Sequence, residues 1–151
     1  MRDVHVGFES VNEQNLAQYA AYESVFESDL KNYQSRIYPD KAAQLCWYHI
    51  KLDDQYIGAI WLERKSDEDH AVLGLFIAEC QFRNKGIGTA AIRKILEQDL
   101  SKLNVDKAIL HVRTENNRAI ACYEKAGFQE IARYQKGKND VVEMIYSFGS
   151  K

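Results

Sequence analysis

The chain has 151 residues, with 20 Lys plus Arg against 22 Asp plus Glu, 46% hydrophobic residues and 28% charged ones. A formal net charge of -2 excludes the basic excess of a general nucleic-acid binder, and the composition is too apolar for a disordered chain. A single domain, residues 1–151, is expected; a chain of this size buries roughly 70% of its unfolded surface without a disulfide or metal staple.

Three cysteines, Cys46, Cys80 and Cys122, lie far apart with no C-x-x-C spacing. They suggest neither a disulfide framework nor a metal site, and a reducing, cytoplasmic compartment is expected. The first ten residues carry no signal-peptide h-region, and the longest apolar run, Ala71 to Ala78, is far short of a membrane span.

Val4, Val6 and Phe8 alternate with polar residues and predict a first strand. Ser10-Val11-Asn12-Glu13 has the form of a capping box, and the pattern is helical from Leu16 to about Ile37. A second box at Ser24–Glu27 divides that stretch into two helices, and Pro39 blocks continuation. Leu45–Leu52 and Tyr56–Lys65 read as a hairpin about Asp53-Asp54-Gln55. Ala71–Ala78, apolar throughout, reads as a central strand covered on both faces. A periodic helix follows from about Gly88 to Leu103, then a strand at Ala108–Val112. Asn117–Ala126 is a helix closed by Gly127, and Phe128–Gln135 with Val141–Phe148 forms a final strand pair. The order β-α-α-β-β-β-α-β-α-β-β predicts an α/β (α+β) fold: a mixed sheet of about seven strands flanked by about four helices.

Between the central strand and its helix lies Arg83-Asn84-Lys85-Gly86-Ile87-Gly88-Thr89. Two glycines let backbone approach a ligand, and N–H groups converging at a helix N-terminus favour an anion such as a pyrophosphate. Read alone, the segment is equally a tight strand-to-helix turn with solvated basic side chains. Gly86-Ile87-Gly88-Thr89-Ala90-Ala91 also satisfies G-x-G-x-x-A. A dinucleotide site is set aside because that fingerprint opens the first βαβ unit of a parallel sheet, whereas this loop follows a hairpin in mid-chain.

A second motif adds specificity. Arg83, Gly86 and Gly88 fit Q/R-x-x-G-x-G/A, and Asn116-Asn117-Arg118-Ala119-Ile120-Ala121-Cys122-Tyr123-Glu124-Lys125-Ala126-Gly127-Phe128 fits N-x-x-A-I-x-x-Y-E-K-x-G-F. On these two motifs and the element order, nearly the whole chain resembles the GNAT superfamily of acetyl-CoA-dependent acetyltransferases. The first 50 residues match only in pattern.

The resemblance implies that backbone groups of Phe76, Ile77 and Ala78 bind the pantetheine arm of acetyl-CoA, one N–H holding the thioester oxygen as an oxyanion site. It implies that the loop Arg83, Asn84, Lys85, Gly86, Ile87, Gly88 and Thr89 wraps the pyrophosphate, that Asn116 bonds the pantetheine, and that Tyr123 protonates the departing thiolate. A phenol, with a reference pKa near 10, is a competent donor at neutral pH; the plain alternative is a core tyrosine beside Phe128.

In relatives resembling the ribosomal-protein N-terminal acetyltransferases, a Glu lies twelve residues before that Tyr; here the position is His111. A histidine, with a reference pKa near 6.5, can take an amine proton near neutral pH, or it can simply fill space on a strand. Glu79 is the other candidate base, with a solvated loop carboxylate as its alternative.

Asp3, Glu9, Glu13, Glu23, Glu27 and Asp29 lie between Arg2 and Lys31 with no Lys or Arg among them. They form either a solvated face or a wall attracting a cationic acceptor. Tyr22, Phe26, Tyr33, Tyr38, Trp47 and Tyr48 are pocket or core candidates.

The expected function is transfer of acetyl from acetyl-CoA to a primary amine of a small molecule or peptide, by direct attack in a ternary complex. The alternative is a non-catalytic acyl-CoA-binding module of the same fold. No metal, nucleic acid or membrane partner is expected, and the final strand pair makes a homodimer possible by the same resemblance.

Overall fold

The computed structural model describes residues 6–25, 37–78 and 86–148. In chain order the elements are β1 (Gly7–Ser10), a 3-10 turn (Leu16–Gln18), α1 (Tyr19–Val25), β2 (Gln44–Leu52), β3 (Gln55–Arg64), β4 (Ala71–Ile77) and α2 (Ile87–Asp99). A second 3-10 turn (Ser101–Leu103), β5 (Lys107–Arg113), α3 (Asn117–Lys125), β6 (Gln129–Lys136) and β7 (Asn139–Ser147) complete them. Seven strands form one sheet in the order β1-β2-β3-β4-β5-β7-β6. Every neighbouring pair is antiparallel except β4 with β5. The architecture is the mixed sheet the pattern predicts.

The helices depart from the pattern in instructive ways. The N-terminal cap is not Ser10 with Glu13. Asn12 and Asn15 instead exchange bonds: the Asn12 N–H donates to Asn15 Oδ1 at 2.8 Å, and the Asn15 N–H to Asn12 Oδ1 at 2.9 Å. Asparagine side chains mimic backbone turns more readily than serine does, and the helical stretch opens at Leu16, where the pattern places it, as a 3-10 turn. Most of the second predicted helix, residues 26–36, lies outside the described residues, and three α-helices stand among those described. The predicted helix 88–103 breaks after Asp99. Asp99 is fully buried, with Lys102 Nζ 3.0 Å from its Oδ1, and the 3-10 turn that follows lets both Leu100 and Leu103 reach the core.

Strand alternation divides the interior in two. Ile60, Leu62, Ala71, Leu73, Leu110, Val112, Val142 and Met144 turn to the face covered by α2 and α3, where Ile92, Ile95 and Leu96 meet them. Tyr19, Tyr22, Ile37, Ala59, Trp61, Phe76 and Ala78 form a second, aromatic core on the other face. β4 contributes to both, as its unbroken apolar run requires.

At Gly74 the ring of Trp61 lies flat against the backbone: an added Cβ would sit 2.0 Å from Trp61 Cε2. That indole is itself fixed by Nε1–H donating to Glu63 Oε1 at 3.1 Å. Gly74→Ala is therefore expected to destabilise the protein by about 1–3 kcal/mol, the usual range for overpacking. Gly7→Ala, whose Cβ meets nothing closer than 3.8 Å, should stay within about 0.5 kcal/mol of wild type. Urea titration of the two variants checks the contrast.

Candidate active site

The ladder between β4 and β5 consists of two pairs, Ala71↔Ala108 and Val72↔Ile109. Beyond them β5 stays with β7 as far as Arg113↔Val141, and β4 stays with β3 as far as Gly58↔Ile77. The two parallel strands thus part towards their C-terminal ends. The Ala78 N–H donates to Ile57 O at 2.7 Å. In an antiparallel ladder alternate residues turn their N–H and C=O to the same side. Phe76 and Ala78 thus face β3, whereas Leu75 and Ile77 direct theirs towards the parting. Of the three residues expected there, the geometry turns Ile77 to the opening and gives the Ala78 N–H to the sheet. Leu75, which neither motif singles out, faces the same opening by strict alternation from Ile77.

The first turn of α2 stands beside this opening. Gly86 is its N-cap, with φ 78° and ψ 2°, a left-handed conformation that favours glycine, and no side-chain cap bond is made. The first intrahelical bond runs from the Ala90 N–H to Gly86 O, 3.0 Å. The earlier N–H groups of Ile87, Gly88 and Thr89 precede the helix's own ladder. The Ile87 side chain anchors in the core, at 2% exposure, so only its backbone can face a ligand. An added Cβ on Gly88 would meet Cys122 Sγ at 3.1 Å, and Thr89 Oγ1 lies 3.4 Å from the same sulfur. The glycine is what lets α2 and α3 approach. Glu79, Arg83, Asn84 and Lys85 lie outside the described residues.

Asn116 is the N-cap of α3 and accepts the Ala119 N–H through Oδ1 at 3.2 Å. Its side-chain oxygen thus already caps a helix. Tyr123, half-buried on α3, packs edge-on against Phe128 with centroids 6.2 Å apart. Burial raises its phenol pKa, which keeps it protonated, and among the described residues no hydrogen bond engages its hydroxyl. Its backbone is fixed by a Schellman close: the Phe128 N–H donates to Tyr123 O and the Gly127 N–H to Glu124 O, each 3.0 Å, with Gly127 at φ 107°.

His111 points to the opposite face of the sheet, between the inward-facing Leu110 and Val112. Its register partner is Glu143 on β7, and His111 Nε2 lies 3.3 Å from Glu143 Oε1. Tyr134 Oη donates to the same oxygen at 3.2 Å. The structure therefore does not bring His111 and Tyr123 into one cluster; it sets them on the two faces of the sheet.

On the His111 face, α1 packs through Tyr19 and Tyr22 against Phe76. Tyr22 Oη donates to Gly58 O at 2.9 Å and also meets Nδ1 of the fully buried His49 at 2.9 Å. Tyr19 stacks on Tyr38 at 4.5 Å and receives the Trp47 Nε1–H at 2.9 Å. Tyr48 lies elsewhere: it stacks on Phe8 at 4.9 Å, packed against the other core. Glu9 is held by Tyr56, Asn15 and Lys51, which lower its carboxyl pKa, Tyr56 most. Tyr38 donates to Glu23, and burial, then this bond, pushes its phenol up to about 12. Asp3, Phe26, Glu27, Asp29 and Tyr33 lie outside the described residues. Among the described residues no three metal-ligating side chains converge, and no helix is long and apolar enough to cross a membrane.

The acetyltransferase (GNAT) family profile matches residues 10–128. Among curated proteins, the mycothiol acetyltransferase of Corynebacterium efficiens is 32% identical over 54% of this chain and 27% of its own length. The probable N-acetyltransferase san of Drosophila melanogaster is 30% identical over 66% of this chain and 56% of its own. The aminoglycoside N(6')-acetyltransferase type 1 of Klebsiella pneumoniae is 33% identical over 56% and 42% respectively. The chain thus spans from about a quarter to little over half of the length of these relatives. Among solved structures, aminoglycoside acetyltransferase AAC(6')-Ib with coenzyme A and kanamycin superposes with a TM-score of 0.75 at 22% identity, covering 95% of each chain. Spermidine N-acetyltransferase from Vibrio cholerae with CoA and spermine gives 0.73 at 18% identity, covering 94% of this chain and 95% of the other. These two likenesses show the fold. With the profile spanning most of the chain, the parted parallel strands and the glycine-opened helix are those of a protein that belongs to the GNAT acetyltransferase family.

Proposed function

We propose that this chain is one acetyltransferase domain that moves the acetyl group of acetyl-CoA to a primary amine by direct attack in a ternary complex. The observation that carries the reading is the parting of β4 from β5 beside the N-terminus of α2. A thioester arm laid along β4 would meet the N–H of Leu75 or Ile77, and its pyrophosphate would meet the Gly86–Thr89 amides, with Arg83, Asn84 and Lys85 completing the loop. Complexes of family neighbours with CoA support the cofactor. Tyr123, kept protonated, reaches the opening from the α3 face and gives its proton to the departing thiolate. His111 approaches from the other face and takes the amine proton, with Glu79 the lesser candidate. Asn116 orients the arm with its amide nitrogen while its oxygen caps the helix.

A cationic acceptor fits the aromatic face. Lys51 Nζ, 3.5 Å from Glu9, neutralises that carboxylate. Glu23 bonds a neutral phenol instead, so the pair keeps its negative charge beside Tyr19, Tyr38 and Trp47. Lys41, 6.0 Å from the Trp47 centroid, is the opposing charge at the rim. Neighbours whose names carry spermidine and aminoglycosides support the same class.

Three measurements test this reading. Gly86→Asp places a carboxylate where amides would meet phosphate, and aspartate tolerates the left-handed backbone better than most residues. Calorimetry should show acetyl-CoA binding severely weakened in a folded variant, and unchanged affinity would remove the pyrophosphate assignment. Tyr123→Phe deletes a hydroxyl that has no hydrogen-bond partner among the described residues, so melting should not move. Its kcat should fall by roughly 10²- to 10⁴-fold, the range for general acid catalysis; wild-type turnover would return Tyr123 to the core. Glu23→Gln should raise the KM of a polycationic amine by about three- to tenfold at low salt, less at high salt, leaving that of acetyl-CoA alone. An equal rise for a neutral-bodied amine would sink the electrostatic account.

A further inference from the structure

The His111–Glu143–Tyr134 cluster has no part in the motifs that identify the family. Three strands build it: His111 from β5, Glu143 directly across from it on β7, and Tyr134 on β6. One carboxylate oxygen, Glu143 Oε1, lies 3.3 Å from His111 Nε2 and 3.2 Å from Tyr134 Oη. The imidazole and phenol rings stand 6.3 Å apart at 74°. A carboxylate accepts only, so Nε2 must carry hydrogen, and the lone pair of a neutral His111 then resides on Nδ1. Tyr134, by occupying the same oxygen, holds the carboxylate in register.

We infer that Glu143 is a positioning residue for His111: it fixes the imidazole as the Nε2–H tautomer, leaves Nδ1 to take the amine proton, and stabilises the imidazolium that results. This rests on the reading of His111 as the base. The part of His111 is a proton transfer only. The ammonium loses a proton to Nδ1 and the amine lone pair attacks the thioester carbon; the C–S bond then breaks, Tyr123 protonates the sulfur and its phenolate takes the second proton from nitrogen, and the imidazolium releases its proton to solvent. The other charged or titratable groups on this face are engaged elsewhere: Lys107 lies 3.4 Å from Asp69, Glu63 accepts from Trp61 Nε1, and His49, Tyr19, Tyr22 and Tyr38 bond within the aromatic core. Arg113, two residues on, is bridged to Glu115, and Lys136 lies two residues beyond Tyr134 on β6. From β4 this side receives Val72, Gly74, Phe76 and Ala78, none of them charged. The nearest charge acting on His111 is therefore Glu143.

The test is the pH profile of kcat/KM in wild type, Glu143→Gln, His111→Gln and the double variant. Glutamine keeps an oxygen that accepts from Nε2–H but removes the charge, so orientation survives while the imidazolium loses its partner. The plateau of kcat/KM should fall about threefold, because the imidazolium formed in the step has lost its charged partner. KM for acetyl-CoA should not change, and Glu143→Gln should add nothing to His111→Gln. A profile superimposable on wild type, with the limb lost in His111→Gln, overturns the role of Glu143 and leaves the base reading standing. A limb that persists in His111→Gln overturns the base reading itself. An equal loss from Glu143→Gln in both backgrounds shows that Glu143 acts independently of His111 and overturns the proposal. Should Glu143→Gln misfold, the wild-type protein answers by NMR. The His111 ring signals, assigned with His111→Gln, should respond a second time at acid pH as the neighbouring carboxylate protonates, and their indifference overturns the pairing.

Discussion

The parallel ladder between β4 and β5 stops after two pairs because each strand is bound more extensively to its other neighbour. β5 follows β7 along its whole length, and β4 follows β3 beyond Ile77 to the Ala78 bond with Ile57 O. Each half-sheet carries its own right-handed twist, and only a parallel pair can open at two C-terminal ends at once. The opening therefore costs few ladder bonds and is set by pairing elsewhere. Backbone groups of alternate β4 residues are directed into a wedge, which the glycine-started α2 borders.

Strand alternation then sorts chemistry by face. The α2 and α3 face is aliphatic and closely packed, and there Gly88 meets Cys122 and Tyr123 is held by the Gly127 turn. The other face is aromatic and polar, with Tyr19, Tyr22, Tyr38, Trp47 and the buried His49 joined by ring contacts and hydrogen bonds. Aliphatic packing suits the face that positions helices. A polar aromatic lining suits a face meeting a charged, hydrated ligand.

Most of the architecture was legible from periodicity: seven strands, the doubly covered β4 and the closure of α3 at Gly127 follow from apolar spacing and one glycine. Other features depend on facts no local pattern carries. Asn12 and Asn15 displaced the Ser10 cap because two asparagines can satisfy each other's amides. The break after Asp99 depends on Lys102 reaching a carboxylate that packing has buried. Phe76 and Ala78 were grouped with Ile77 because a motif assigns a segment, whereas hydrogen-bond direction alternates within it. Glu143 is 32 residues from His111. Only the β5–β7 register, set by the length of the α3–β6 passage, makes them neighbours.

The separation of Tyr123 from His111 across the sheet has a chemical consequence under the proposed reading. A phenol and an imidazole in direct contact would share the proton that one must give and the other must take, and neither would be held ready. Here a layer of backbone lies between them, broken only where β4 and β5 part. The acid can remain protonated under apolar burial while the base remains beside a carboxylate and solvent. A single packed pocket could not supply both environments. On the proposed reading the parted strands thus do more than admit a ligand: they let the buried phenol and the solvated imidazole act on one reacting centre from opposite faces.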